Sequence, residues 1–296
     1  MSFRGSYLIV PGLYREDLTN PVKSIEDIQG ADANVRILDL EDGVGPGKKE
    51  LGRQTVVEAL DSWIDSACTT IVRINGLDTT DCLKDLNALF DAQSPPDAIM
   101  LPEIRSGSEI RAIAQFLDSH GSKMGIVPLV ERPEAVFNVY SIATSDPRIE
   151  SLVFGDYDFR KYMGISTQNK HPETLVPRYL ISMAASAAGV PAIDTVYLRR
   201  DDLAGVRSEA KRALSMGFDG KLATAPKQVD PINEIFRPTD AEIRTAKKII
   251  NTFEKAGDDS GLIILDEMII DKPVVEEQRT LLTHAREMGV DVDSIN

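Results

Sequence analysis

The sequence predicts an α/β protein built as a (β/α)8 TIM barrel with a C-terminal helical extension or lid. Three observations predict it. Short, nearly continuous apolar runs rich in β-branched residues recur along the chain, and segments of helical character lie between them. The steps from run to run are mostly about 25 to 40 residues, room for one right-handed crossover each. A strand buried on both faces reads as an unbroken apolar run, and strands alternating with helices point to a parallel sheet. An open doubly wound sheet is the runner-up.

The eight runs are residues 7–10, 35–40, 70–74, 98–101, 125–130, 151–154, 192–196 and 218–222. Among the intervening segments, 47–64, 106–120 and 201–217 carry helical patterns, the last closed by Gly217. Beyond Leu222 the texture changes. Thr239 and Glu242 stand at capping-box spacing, and Gly257 closes that helix. A polar turn "DDSG", a short strand "LIIL" and a second helical segment over 266–289 follow. The expected division is a barrel over 1–230 and an extension over 231–296, packed on the barrel or on a neighbouring subunit.

The chain has 296 residues, 42% of them apolar, and a formal charge of −14 from 47 acids against 33 Lys and Arg. That field repels a phosphate backbone or an anionic bilayer surface, so neither nucleic acid nor membrane is expected as a partner. Cys68 and Cys82 form no CxxC pair and are too few for a disulfide framework. There is no signal-peptide-length apolar core near the start, and no apolar run approaches the ~20 residues that span a bilayer. A soluble cytoplasmic protein is expected.

In such a barrel the active site lies at the C-terminal strand ends. There the sequence places Asp39, Glu41 and Asp42, then Arg73, Glu131, Asp156 and Asp158, and Asp194. Converging carboxylates call for a cation, and oxygen ligands select a hard divalent ion such as Mg²⁺. His120, His171 and His284 form no zinc pattern and are read as ordinary. The cysteines lack a nearby His, Trp63 is read as packing, and Asp194 as a loop tether. The glycine turn in "EDGVGPGKK" fails as a phosphate loop: in GxxxxGK[ST] register, Asp42 would replace the first glycine and Lys49 the Ser/Thr. It reads instead as the start of a helix at Lys48 or Lys49.

The stretches "SYLIVPG", "ILDLEDGV", "VRINGLDT", "PLVE", "VFGDYDF", "GVPAIDTVY", "GFDGKLATAPKQVDPINEIF" and "MIIDKPVV" follow one another in this order. Together they resemble the CitE-like branch of the HpcH/HpaI aldolase superfamily, the citrate lyase β-subunit and its malyl-CoA and citramalyl-CoA lyase relatives. The resemblance spans almost the whole chain. It implies a TIM barrel, usually a homotrimer, that uses Mg²⁺ to cleave or form a C–C bond in a 3-hydroxyacyl thioester. By position it implies Glu131 and Asp158 as metal ligands, Gly155 fixing the count in favour of Asp158 over Asp156. It implies Arg73 as the substrate-binding arginine and Asp271 as a catalytic acid supplied by a neighbouring subunit's extension. It places Glu41 and Asp42 just outside the metal, and Ser6, Pro11 and Gly12 near the substrate.

Two departures bear on the CoA arm. Ala225 stands where the family usually has His, and Gly5 where it usually has Arg, with Arg4 one place early. The expected activity is therefore a Mg²⁺-dependent lyase acting on a malyl-, citramalyl- or citryl-CoA. The alternatives are an aldolase on a free 2-oxo or hydroxy acid, a malyl-CoA thioesterase, and a non-catalytic binding relative. Two residues also have plain structural readings: Arg73 as a core-edge partner of Asp39 or Glu41, and Asp271 as a helix N-cap.

Overall fold

A computed structural model describes residues 4–12, 31–62, 68–166, 173–257 and 261–295; Trp63 and His171 lie outside them. Eight parallel strands close into a barrel: β1 (Gly5–Pro11), β2 (Val35–Asp39), β3 (Thr69–Arg73), β4 (Ala98–Leu101), β5 (Gly125–Val130), β6 (Leu152–Phe154), β7 (Ala192–Asp194) and β8 (Gly220–Ala223). The circle closes where β8 pairs back onto β1, Gly5 opposite Gly220. The (β/α)8 expectation is met.

The apolar runs are unbroken because each strand buries both faces. Tyr7, Val35, Ile37, Ile71, Ala98, Met100, Val127, Leu129, Val153, Ile193 and Leu222 fill the barrel's interior. Their neighbours, among them Leu8, Leu38, Val72, Ile99 and Ile126, pack outward against the helices. Those helices include α1 (Lys49–Ser62), α2 (Thr80–Asp91), α3 (Gly107–Ser119), the short α4 (Pro133–Phe137) and α5 (Val139–Ala143), α6 (Asp156–Met163), α7 (Leu175–Ala188) and α8 (Leu203–Ser215). Among the described residues no helix is long and apolar enough to cross a membrane.

Side chains alternate along a strand with period two, and that phase decides what reaches the mouth. Continuing inward from Ile9, Ile37, Ile71 and Leu129 gives Pro11, Asp39, Arg73 and Glu131. Pro11 pairs with Asp39, and Asp39 with Arg73, so these three share one rung. Asp194 follows the inward Ile193 and so points out into the helix layer. There it is fully buried between Arg178 (3.0 Å) and Lys221 (2.8 Å). Burial alone would raise its pKa, but these two cations hold it below the usual carboxylate range. It ties β7 to β8 and α7.

The helix α9 (Val229–Phe236) straddles the expected boundary at 230 and packs on β1 and β8, so it completes the barrel. The extension proper is α10 (Asp240–Ala256), the hairpin β9 (Leu262–Leu265) and β10 (Met268–Asp271), and α11 (Lys272–Glu287). The anticipated capping box is formed: the Thr239 hydroxyl accepts from Glu242 N–H, and the Glu242 carboxylate accepts from Thr239 N–H at 2.8 Å. The hairpin turns on Asp266 and Glu267, both at positive φ (50° and 67°), as a tight two-residue turn requires. The extension has its own small core of Ile243, Ala246, Leu282 and Ala285, with Ile249, Ile270 and Val275 beside it.

Candidate active site

At the mouth, Arg73 is gripped by acids from β2 and the loop that follows it. Its Nε and Nη2 donate to the two Asp39 oxygens at 2.7 and 2.6 Å, and its Nη1 lies 2.9 Å from Glu41. Asp39 is fixed in turn by the Glu41 and Gly43 N–H groups, at 2.9 and 2.8 Å. The core-edge pairing of Arg73 is thus real, and it leaves room for more. A guanidinium carries more N–H donors than these contacts take up, so Arg73 is pre-oriented and still able to bind an anion.

The loop carrying Glu41 is pinned from below. Lys49 Nζ donates to the carbonyls of Leu40 (2.7 Å) and Glu41 (2.6 Å), and Asn75 Nδ2 donates to Leu40 O at 3.1 Å. Asn75 also donates twice to the buried Asp85, which pairs with Arg53 at 2.9 Å. Lys49 therefore serves the loop's own backbone, and the turn before it is no phosphate cradle.

Glu131 follows β5 and is 2% exposed. Its Oε1 accepts from the Glu103 N–H at 2.7 Å. Its other oxygen lies where a side chain on Gly155 would be: a Cβ there would stand 2.6 Å from Oε2. Glycine after β6 thus makes the space for the Glu131 carboxylate. The helix α6 starts at once, and its first turn carries Asp156 and Asp158. Asp156 is buried and bound to Arg160 at 2.7 Å. Asp158 is more open, and its ion pair among the described residues is with Lys161 at 3.4 Å. The two acids of "GDYD" are thereby separated into a structural one and an available one.

The carboxylates at the mouth act on one another. Burial pushes the Glu41 pKa up to about 7; Arg73 opposes this, while Asp42, Asp39 and Asp158 add to it. Burial also drives Glu131 well above the usual carboxylate range, reinforced by Glu41 and Asp158 and opposed by the Glu103 N–H and Arg73. Glu41, Glu131 and Asp158 therefore sense one another as surplus negative charge. Surplus carboxylate charge of that kind suits a hard divalent cation. Among the described residues no three His, Cys, Asp or Glu side chains form a complete metal cage. Glu131 and Asp158 offer the one or two carboxylates with which Mg²⁺ is commonly held, the rest being water and substrate.

These shifts carry a sign. With its folded pKa near 7 and an ordinary value of 4.5, Glu41 keeps a proton in the native state that the unfolded chain has lost. Stability of the cation-free protein therefore falls as pH rises from about 4.5 to about 7, by at most ~3 kcal/mol from this group. A divalent cation bound to the ionised carboxylates offsets that loss. Thermal melts should show Mg²⁺ raising the midpoint more at about pH 8 than at about pH 5; an equal response at both would contradict the assignment.

The other expected residues fall as follows. Pro11 and Gly12 stand at the mouth, Gly12 donating to Asp39 O at 2.8 Å. Asp42 is exposed beside Glu41. Ser6 is a correction: it is fully buried at the opposite, N-terminal end of β1, in the outward phase. Its N–H donates to Asn34 and Asn233, both at 3.2 Å, so it meets no substrate at the mouth. Arg4 and Gly5 share that end, where Arg4 pairs with Asp219 and Glu287. The departure at Gly5 therefore says nothing about a ligand. Ala225 is buried in the loop after β8. Asp271 caps α11, accepting from Val274 N–H at 3.2 Å. Among the described residues no hydrogen bond or ion pair joins it to the mouth of its own barrel.

His120 stacks on Phe90 at 4.5 Å, and burial lowers the His284 pKa beside Arg4. Burial and Asp85 push Cys82 up to about 11, and burial raises Cys68, so neither is an activated thiol. Sequence reasoning missed Lys49, Asn75 and Glu103. Asn75 lies in "VRING", Lys49 in "EDGVGPGKK" and Glu103 just after the apolar run 98–101, but none of them carries a sequence sign of these contacts.

The profile of the family described as HpcH/HpaI aldolase/citrate lyase matches residues 18–226. The citrate lyase subunit beta of Escherichia coli K12 is 29% identical over 97% of this chain and 95% of its own. The (3S)-malyl-CoA thioesterase of Cereibacter sphaeroides is 30% identical over 95% of this chain and 94% of its own. Among solved structures, the CitE protein of Mycobacterium tuberculosis, in complex with magnesium, acetoacetate and coenzyme A, superposes with a TM-score of 0.77. It shares 26% identity, over 96% of this chain and 99% of that one.

Proposed function

The chain belongs to the HpcH/HpaI aldolase/citrate lyase family, an enzyme family of lyases, and from that premise we propose a Mg²⁺-dependent carbon–carbon lyase. It cleaves, or in reverse forms, a 3-hydroxyacyl-CoA of malyl, citramalyl or citryl type through an enolate. The observation that carries this reading is the meeting of Glu131, Asp158 and Glu41 with the fixed Arg73 at the barrel mouth. The magnesium, acetoacetate and coenzyme A held by the related CitE protein support it.

Glu131 and Asp158 would hold the Mg²⁺, with Glu41 and Asp42 outside them. Bound there, the ion supplies Lewis acidity and a template for substrate oxygens. Arg73, locked flat against Asp39, aims its remaining N–H groups at a substrate carboxylate or the developing enolate oxygen. A donor placed on developing charge is worth ~3–4 kcal/mol. Burial holds the Glu41 pKa near neutrality; its Oε2 faces Arg73 Nη1 at 2.9 Å, so the proton it can hold or release belongs on the other oxygen. The half-buried Pro11 and the buried Gly12 and Asp39 limit water around these groups.

The reading includes a homotrimer in which Asp271 of one copy reaches the mouth of the next to move the proton. Leu262, Ile264 and Ile269 share one face of the hairpin and are 59–72% exposed, and Leu262 pairs with Asp271 itself. An apolar face of that kind, next to an acid with no role in its own barrel, fits burial against a second copy. The free Cys68 and Cys82 fit a reducing cytoplasm.

Mass analysis after incubation with malyl-, citramalyl- or citryl-CoA and Mg²⁺ should show a shorter acyl-CoA and a free oxo acid. Free CoA with intact hydroxy acid would instead select the thioesterase reading, which the 30% identity to the malyl-CoA thioesterase supports. Turnover of a free oxo acid alone would select the aldolase, in keeping with Ala225.

A further inference from the structure

Glu103, in the turn after β4, has a φ of 58°. Outside the hairpin turn it is the one non-glycine described residue in the left-handed region. L-residues avoid that region because Cβ crowds the following carbonyl oxygen. Such a conformation persists only where its surroundings over-determine it. Here it aims the Glu103 N–H at Glu131 Oε1, 2.7 Å away.

The Glu103 carboxylate is itself clamped. Arg132 Nη1 donates to Oε2 at 2.6 Å, and the Tyr162 hydroxyl lies 2.9 and 2.8 Å from the two oxygens. Arg132 also lies over the Tyr162 ring, 4.3 Å from its centroid. The placement of these partners is the point. Arg132 directly follows Glu131 in the chain. Tyr162 stands four residues beyond Asp158 on α6, on the same helix face. The cluster thus ties together the turn that supplies the N–H, the segment that carries Glu131 and the helix that carries Asp158.

We propose that Glu103, Arg132 and Tyr162 form a positioning brace that sets the orientation and spacing of the Glu131 and Asp158 carboxylates for a divalent cation. The inference rests on the Mg²⁺ reading above. None of the three touches a reacting atom; they act through the two carboxylates.

Titration of the full chain with Mn²⁺, read by electron paramagnetic resonance, tests it. Tyr162→Phe removes only a hydroxyl on a residue 39% exposed, and should weaken Mn²⁺ binding about 10-fold. The metal concentration for half-maximal activity should rise by more than kcat at saturating metal falls. Glu103→Gly relieves the backbone strain while deleting the clamp. It should weaken Mn²⁺ binding similarly without lowering the thermal midpoint, and Glu103→Gln should recover most of the affinity. A role confined to folding would lower the midpoint and leave affinity alone. Wild-type Mn²⁺ affinity in both Tyr162→Phe and Glu103→Gly would overturn the brace. Wild-type affinity in Glu131→Gln would overturn the ligand assignment itself, and the brace with it.

Discussion

Glu131→Gln should lower kcat/KM by at least ~10³-fold, equivalent to ~4 kcal/mol of transition-state stabilisation, while raising the thermal midpoint of the metal-free protein. The two effects have one cause. Glu131 is buried to 2% exposure, and its ionised form is opposed by burial and by the charges of Glu41 and Asp158. The amide keeps the shape, and its carbonyl still accepts the Glu103 N–H. What disappears is the charge that a cation needs and that the empty fold tolerates poorly. Asp158→Asn should act in the same direction, more weakly on stability because Asp158 is more open. Asp156→Asn should do the reverse: it removes the carboxylate 2.7 Å from the buried Arg160 and leaves it the more distant Glu173 at 3.8 Å, lowering stability while leaving metal affinity in place. Steady-state kinetics, metal titration and thermal melts on these three variants check the pattern. Loss of metal affinity in Asp156→Asn but not in Asp158→Asn would overturn it.

Arg73→Ala should be damaging on both counts. Asp39 is 3% exposed and gives both oxygens to the Arg73 guanidinium. Removing one partner of a buried pair strands the other charge, at ~3–5 kcal/mol. The lost anion anchor should cost a further 10²–10³-fold or so in kcat/KM. Arg73→Lys keeps the charge but not the planar fork, and should recover stability better than activity. Adding Asp39→Asn to Arg73→Ala should restore stability, because the stranded charge is gone, without restoring turnover. Denaturant unfolding beside kcat/KM separates the two. A double variant that regains activity would show that Arg73 serves only to neutralise Asp39.

The barrel was legible because it depends on a simple signal. Strands buried on both faces give unbroken apolar runs, and the eight runs anticipate the eight strands with ends differing by at most a few residues. The acids and Arg73 were legible because a charge directly after such a run has few places to go but the mouth. Ser6 was misread for a geometric reason. It belongs to the same "SYLIVPG" stretch as Pro11, but five residues of strand separate them by ~17 Å, putting Ser6 at the other end of the barrel. Tracking the phase from Tyr7, which points inward, would also have turned Ser6 outward.

Other features were hidden because they depend on conformation. Nothing in "LPEIR" announces a left-handed Glu103, since no glycine marks it. Lys49 read only as the start of a helix after the glycine turn; the fold shows it reaching back to the carbonyls of Leu40 and Glu41. The pair in "GDYD" could be ranked only by a family count, whereas the structure ranks it by partners: Arg160 holds Asp156 and leaves Asp158 available. Asp271 was open to two readings. Its capping bond to Val274 is formed, and its face beside the exposed hairpin leaves the second reading to an assembly of copies.

The most direct measurement is the anomalous difference map of a crystal soaked in Mn²⁺ and oxaloacetate, recorded at the manganese edge. The expected result is a single strong peak between the Glu131 and Asp158 carboxylates, with the oxo acid's oxygens on the metal and its carboxylate turned toward Arg73. A peak elsewhere, or a ligand seated away from Arg73 with no metal between Glu131 and Asp158, would contradict the site proposed here.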